Sequence, residues 1–149
     1  MFSIAAYACY TGPGCRFDQY FELPTVADIV QALEADPDEW AQKTAATLRQ
    51  RSPLMLHVAL EQIRRARKLT LADDLRLERD MVHHCFNPAH LGKSARQSET
   101  MEGIRALVID KDQAPQWQPA RIEDVTPAMV APFFSSPWTA ETHPLRALR

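Results

Sequence analysis

From Thr25 onward, apolar residues recur every three or four positions, and no alternating pattern of strand period competes with them. Thr25 is placed to cap a helix whose inner stripe is Val26, Ile29, Val30 and Leu33. Asp36 caps the next, with Pro37 at its first position and Asp38 and Glu39 near the positive end of the dipole; its stripe is Trp40, Ala41, Thr44, Ala45 and Leu48. Ser52-Pro53 restarts a helix by the same device, with Met55, Val58, Ala59 and Ile63 in one line and Leu56 and Leu60 widening it. Thr70 caps a longer helix that buries Leu71, Leu75, Leu77, Met81, Val82 and Phe86. Asn87-Pro88 ends it, because the residue before a proline disfavours helical geometry.

Residues 89–97 read as a polar loop around Gly92. Ser98 then caps a helix with Glu99 and Glu102 in its first turns and Met101, Ile104, Leu107 and Val108 facing inward. Residues 110–119 form an ordered loop, and Thr126-Pro127 starts a last short helix through Phe133 and Phe134. The tail from Ser135 is punctuated by prolines and expected to be flexible, with Trp138 the side chain able to dock it. The pattern predicts an all-α domain of five or six helices, each stripe wide enough to need a packing partner.

Composition changes this picture little. A chain of 149 residues suits one domain burying roughly two-thirds of its unfolded surface. A net charge of -2 offers no electrostatic reason to bind nucleic acid or an acidic membrane. The opening apolar residues lack a basic region and are too short for a membrane span of ~20 residues. Cys9, Cys15 and Cys85 are odd in number and irregular in spacing, which argues for free thiols in a reducing compartment. The expectation is a soluble, cytoplasmic protein.

Two clusters invite chemistry. His83, His84, Cys85 and His90 contain ligand types for zinc, which needs four converging donors. Adjacent helical residues point roughly 100° apart, and Asn87-Pro88 interrupts the run, so these read as surface histidines and one core cysteine, with no metal site. Arg64, Arg65, Arg67 and Lys68 form a basic cluster able to meet a nucleotide phosphate, yet they lie at a predicted helix C-terminus, where cations are favoured anyway. They read as a solvated face.

The run Glu102-Gly103-Ile104-Arg105-Ala106-Leu107-Val108-Ile109-Asp110-Lys111-Asp112, continuing to Pro119, resembles the C-terminal signature of the 3-hydroxyisobutyryl-CoA hydrolases of the enoyl-CoA hydratase/isomerase (crotonase) superfamily. Phe17-Asp18-Gln19-Tyr20-Phe21, Ser52-Pro53-Leu54-Met55-Leu56-His57-Val58 and Thr70-Leu71-Ala72-Asp73-Asp74-Leu75 are similar to earlier family segments, in the family's order. The resemblance covers residues 17–134, leaving residues 1–16 as an unmatched segment and 135–149 as the tail.

The resemblance implies a crotonase-type C-terminal helical domain without the α/β catalytic core, acting as lid and association domain of an acyl-CoA hydrolase of valine catabolism. The family's oxyanion hole needs backbone amides offered by a glycine-rich turn. Here the one close glycine pair is Gly12-Pro13-Gly14, whose proline removes a donor, so catalytic residues are expected to be absent and the chain inactive alone. No cofactor is intrinsic to this expectation; a coenzyme A thioester is the family substrate. Lys111 and Arg105 are the residues implied to approach the phosphates of coenzyme A, against the plainer readings of a solvated Lys111 paired with Asp110 or Asp112 and an Arg105 paired within the domain. Leu107 falls where some relatives set an aromatic against adenine, and reads as core; Trp117, between Pro115 and Pro119, reads as a loop anchor. Implied partners are acyl-CoA once a catalytic core is supplied, a docked crotonase core, or a second copy of the chain. The alternative is a stand-alone helical self-association or interaction module.

Overall fold

The computed structural model describes residues 17–149; the unmatched segment, with Cys9, Cys15 and the Gly12-Pro13-Gly14 pair, lies outside the described residues. Among the described residues there are seven α-helices with short 3-10 and π turns, and no strand. The chain divides into two compact units, Met1–Arg51 and Ser52–Arg149.

In the first unit, α1 (Asp18–Phe21) leads into α2 (Val26–Ala35) and α3 (Glu39–Arg49). Thr25 caps α2 as its sequence requires, its hydroxyl accepting from the Asp28 amide at 3.0 Å. The expected stripe Val26, Ile29, Val30 and Leu33 is buried, and Ala41 and Ala45 bring α3 against it. Trp40, Thr44 and Leu48 are half-buried on the margins. The start of α3 differs from expectation. Asp38 is its cap, accepting from the Trp40 amide at 2.8 Å. Asp36 is occupied elsewhere: its carboxylate accepts from the Tyr20 hydroxyl and from the Asp38 amide. Gln42 completes the junction by donating to the Glu34 and Asp36 carbonyls at 2.8 and 2.7 Å, two acceptors that the end of α2 leaves open.

The second unit holds α4 (Pro53–Ala66), α5 (Leu71–Phe86), α6 (Glu99–Ile104) and α7 (Pro127–Val130), with a π turn at Arg105–Ile109 and 3-10 turns that include Ala89–Leu91 and Ala131–Phe134. Ser52, Thr70 and Ser98 cap α4, α5 and α6 through their hydroxyls, and Asn87 ends α5 in a non-helical conformation. Gly92 closes the 3-10 turn Ala89–Leu91 at φ 67°, a conformation that favours glycine.

The core of this unit is Leu54, Val58, Met81 and Phe133, with Met55, Leu77, Cys85, Leu91, Met129 and Phe134 around it. Two expected stripes are therefore re-phased. On α4 the inward line runs through Leu54 and Val58, while Ala59 and Ile63 face out. On α5 the inward line is Leu77, Met81 and Cys85; Leu71, Leu75, Val82 and Phe86 are all exposed. The reason is that α5 is apolar on two strips, and a third face is occupied by the tail.

That third face carries Arg76, Arg79, Asp80, His83 and His84, all at helical spacing. His84 contacts the Ser135 carbonyl at 2.8 Å, and Asp80 accepts from Ser136 and pairs with buried His143, both at 3.1 Å. His143 Nδ1 accepts from the Leu145 amide at 3.0 Å, so Nε2 carries the proton shared with Asp80 in the neutral ring. Trp138 lies between the Arg79 guanidinium and the His83 ring. Arg76 donates to the carbonyls of Leu145 and Leu148.

Candidate functional site

The signature segment folds around Arg105. Ser98 sets α6 by accepting from the Met101 amide at 3.2 Å. One turn later the helix widens: the Asp110 amide reaches back five residues to the Arg105 carbonyl at 2.8 Å, the mark of a π turn. The chain then leaves with Lys111 at φ 57° and Gln113 at φ 54°, left-handed conformations that non-glycine residues adopt only when their surroundings hold them.

The Arg105 guanidinium supplies that hold. Its Nε and Nη2 donate to the two oxygens of Glu102 at 3.0 and 2.8 Å, a bidentate fork. Its Nη1 donates to Asp110 and Asp112, each at 2.7 Å, and Nη2 also reaches the Ala114 carbonyl at 3.1 Å. Asp112 in turn accepts from the Ala114 amide and Glu102 from the Gln116 amide. The loop thus wraps around one cation. Glu102 first, then Asp112 and Asp110, hold Arg105 above its ordinary pKa. Arg105 and the Gln116 amide hold Glu102 below its ordinary 4.5. The Ala114 amide and Arg105 do the same for Asp112. Trp117 lays its ring over Gly103, where a Cβ would stand in ordinary contact at 3.5 Å.

This network leaves Lys111 on the rim. Both aspartates expected to pair with it turn to Arg105 instead, and Lys111 is exposed without an ion pair among the described residues. Beside it, Leu107, Val108 and Ile109 are 63–65% exposed, whereas Ala106 is fully buried. The expectation that Leu107 and Val108 face the core is thereby corrected. The wider π turn gives the inward position to Ala106 and rotates the three larger side chains outward.

Beneath the loop lies a second anchor with no counterpart in the sequence reading. Buried Glu99 accepts from the Ser52 hydroxyl at 2.6 Å and from the Gln118 amide at 3.1 Å, with Lys93 Nζ at 3.5 Å. Lys93 also donates to the Gln118 carbonyl at 2.6 Å. One carboxylate so ties the cap of α4 to the start of α6 and the end of the signature. The sequence signal was slight, an acidic residue directly after a capping serine, which ordinarily means a solvated charge at a dipole.

Of the remaining candidates, Arg65, His83, His84 and His90 pack against other side chains. Arg65 pairs with Glu61 and stacks over Phe134 at 4.3 Å. His84 and Phe133 flank the ring of His90, whose nitrogens are buried without a hydrogen bond among the described residues; burial first, then His84, lowers its pKa. Burial likewise raises the Cys85 thiol. Among the described residues no three metal-ligating side chains converge.

Acid should unfold this arrangement in two stages. His57 and His90 have pKa values below their ordinary 6.5, chiefly through burial, so the unfolded chain binds more protons and stability falls as pH drops through and below 6.5. Glu102 and Asp112, held below 4.5 and 3.8, contribute stability that is present above those values and lost as pH falls through their lower folded ones. Urea midpoints measured from neutral pH to about pH 3 should decline throughout. Glu102→Gln should flatten the lower limb alone; a midpoint rising toward acid would contradict the assignment.

A family model for enoyl-CoA hydratase/isomerase matches residues 14–134. The chain is 38% identical to the small ribosomal subunit protein mS47 of Arabidopsis thaliana over 79% of its own length and 28% of that protein's. It is 37% identical to a probable 3-hydroxyisobutyryl-CoA hydrolase 2 of the same plant over 78% of its length and 30% of the relative's. A crystal structure of a carnitinyl-CoA dehydratase from Mycobacterium thermoresistibile superposes with a TM-score of 0.66 at 33% identity, covering 84% of this chain and 35% of that one. The chain thus spans about three-tenths of the length of the curated relatives it matches.

Proposed function

Because this chain belongs to the enoyl-CoA hydratase/isomerase family and matches its C-terminal region, we propose that it is the helical lid and association domain of an acyl-CoA hydrolase of the 3-hydroxyisobutyryl-CoA type, without hydrolase activity of its own. The observation that carries this reading is the rim of the signature loop. Three large apolar side chains and one lysine that makes no ion pair among the described residues are displayed on a turn that Arg105 pre-organises. Apolar groups beside a mobile ammonium suit a ligand that is part hydrocarbon and part phosphate. In this reading residues 107–109 pack against a catalytic core or the acyl-CoA arm, Lys111 meets the phosphates, and Arg105 serves them by holding the loop.

Coenzyme A titrated into the isotope-labelled chain tests it. Amide shifts are expected to cluster at residues 105–117 and to weaken in Lys111→Glu, with the fold unchanged. An absence of shifts there would overturn the ligand surface. Thioester hydrolysis by the purified chain, lost on mutating one of its own residues, would overturn the lid.

A further inference from the structure

The exposed stripe of α5 carries an inference that does not depend on the lid reading. Leu71, Leu75, Val82 and Phe86 are 76%, 37%, 49% and 44% exposed, and spacings of four, seven and four set them on one face with Glu78 between them. The stripe runs about 22 Å along the helix, at ~1.5 Å per residue. Its order has a particular symmetry. About the peptide joining residues 78 and 79, Leu71 is the mirror of Phe86, Leu75 of Val82, and Glu78 of Arg79.

We propose that α5 pairs antiparallel with α5 of a second copy about a two-fold axis at that peptide. In a two-fold interface residue i meets j while j meets i, so a strip must complement itself. Here each end brings Leu71 against Phe86 and Leu75 against Val82. The centre brings Glu78 of one copy against Arg79 of the other, twice. A parallel pairing sets Glu78 against Glu78 and loses that complementarity. Glu78 is braced for the role by the Gln62 amide at 3.1 Å. Arg79, half-buried at the border between this strip and the tail with its guanidinium over Trp138, makes no ion pair among the described residues that the pairing would have to break. The polar face of α5 is closed to a partner by the tail and its inner face by Phe133, so this strip is the one that a second helix finds open.

Sedimentation of the full chain over a concentration series tests the pairing. The expected result is a reversible dimer that Val82→Glu abolishes and Leu107→Glu leaves intact. Glu78→Arg should weaken it about tenfold by setting arginine against arginine, and the exchange Glu78→Arg with Arg79→Glu should restore it. Glu78, Val82 and Leu107 are exposed and Arg79 is half-buried over Trp138, and helical content by circular dichroism verifies folding; the charge exchange keeps the test valid if Val82→Glu unfolds. A chain that stays monomeric at ~1 mM, where a Kd of that size already leaves much of it paired, overturns the proposal. So does a dimer indifferent to both Val82→Glu and Glu78→Arg.

Discussion

Replacing Glu99 with alanine is expected to destabilise the second unit by about 3 kcal/mol, the upper end of the cost of leaving buried hydrogen-bonding groups without their partner. The carboxylate is 8% exposed, and its three donors come from separate places: the Ser52 cap, Lys93 and the Gln118 amide. Removal takes the counter-charge from half-buried Lys93, which keeps the Gln118 carbonyl, and leaves the Gln118 N–H without its acceptor. Glu99→Gln keeps an acceptor and should cost less. Ser52→Ala loses a cap and one bond to a charge, at about 1–2 kcal/mol. The double variant Ser52→Ala with Glu99→Ala should fall short of the sum of the singles, because both remove the same 2.6 Å bond. Urea denaturation measures all four. A Glu99→Ala chain within about 0.5 kcal/mol of the parent would show that the anchor carries no stability. Hydrogen exchange should localise the damage to the amides of residues 114–118, where the signature loop would come loose.

The second large effect is Leu54→Ala, expected to cost about 2–5 kcal/mol. Leu54 is fully buried among Val58, Met81 and Phe133, held by α4, α5 and the Ala131–Phe134 turn, and elements packed from three directions do not collapse onto a small cavity. The informative comparison is Ile63→Ala on the same helix. At 57% exposure Ile63 should change stability by no more than about 0.5 kcal/mol. Thermal unfolding of the two variants side by side decides which line of α4 faces the core. Equal losses would restore the stripe through Met55, Val58 and Ile63 that periodicity alone favours.

The carbonyl end of α2 shows why such re-phasing escapes a sequence. Asp36-Pro37 has every local feature of a cap, yet Tyr20 claims the Asp36 carboxylate and Asp38 takes over. The turn after α6 is similar. Nothing in Arg105-Ala106-Leu107-Val108-Ile109 announces a π turn, because the cause is a guanidinium drawing in carboxylates at positions 102, 110 and 112 together. Those four residues are near neighbours in the chain, so their charges were visible; their convergence was not.

By itself the sequence determined what depends on a few adjacent residues: the helical period, the caps at Thr25, Ser52, Thr70 and Ser98, the stop at Asn87-Pro88, and the family order of its segments. Capping bonds close within three residues, so these four need no distant partner; where one intervenes, as Tyr20 does at Asp36, the cap moves along the chain. Only the tertiary structure decided which apolar strip of α4 and α5 is core and which is surface, that Leu107 turns outward, and that Glu99 binds Ser52 from 47 residues away. Leu107 turns outward because three nearby carboxylates converge on Arg105. The choice of strip and the Glu99 bond are competitions for burial or for a charge among elements remote in the chain, won according to where the other elements stand.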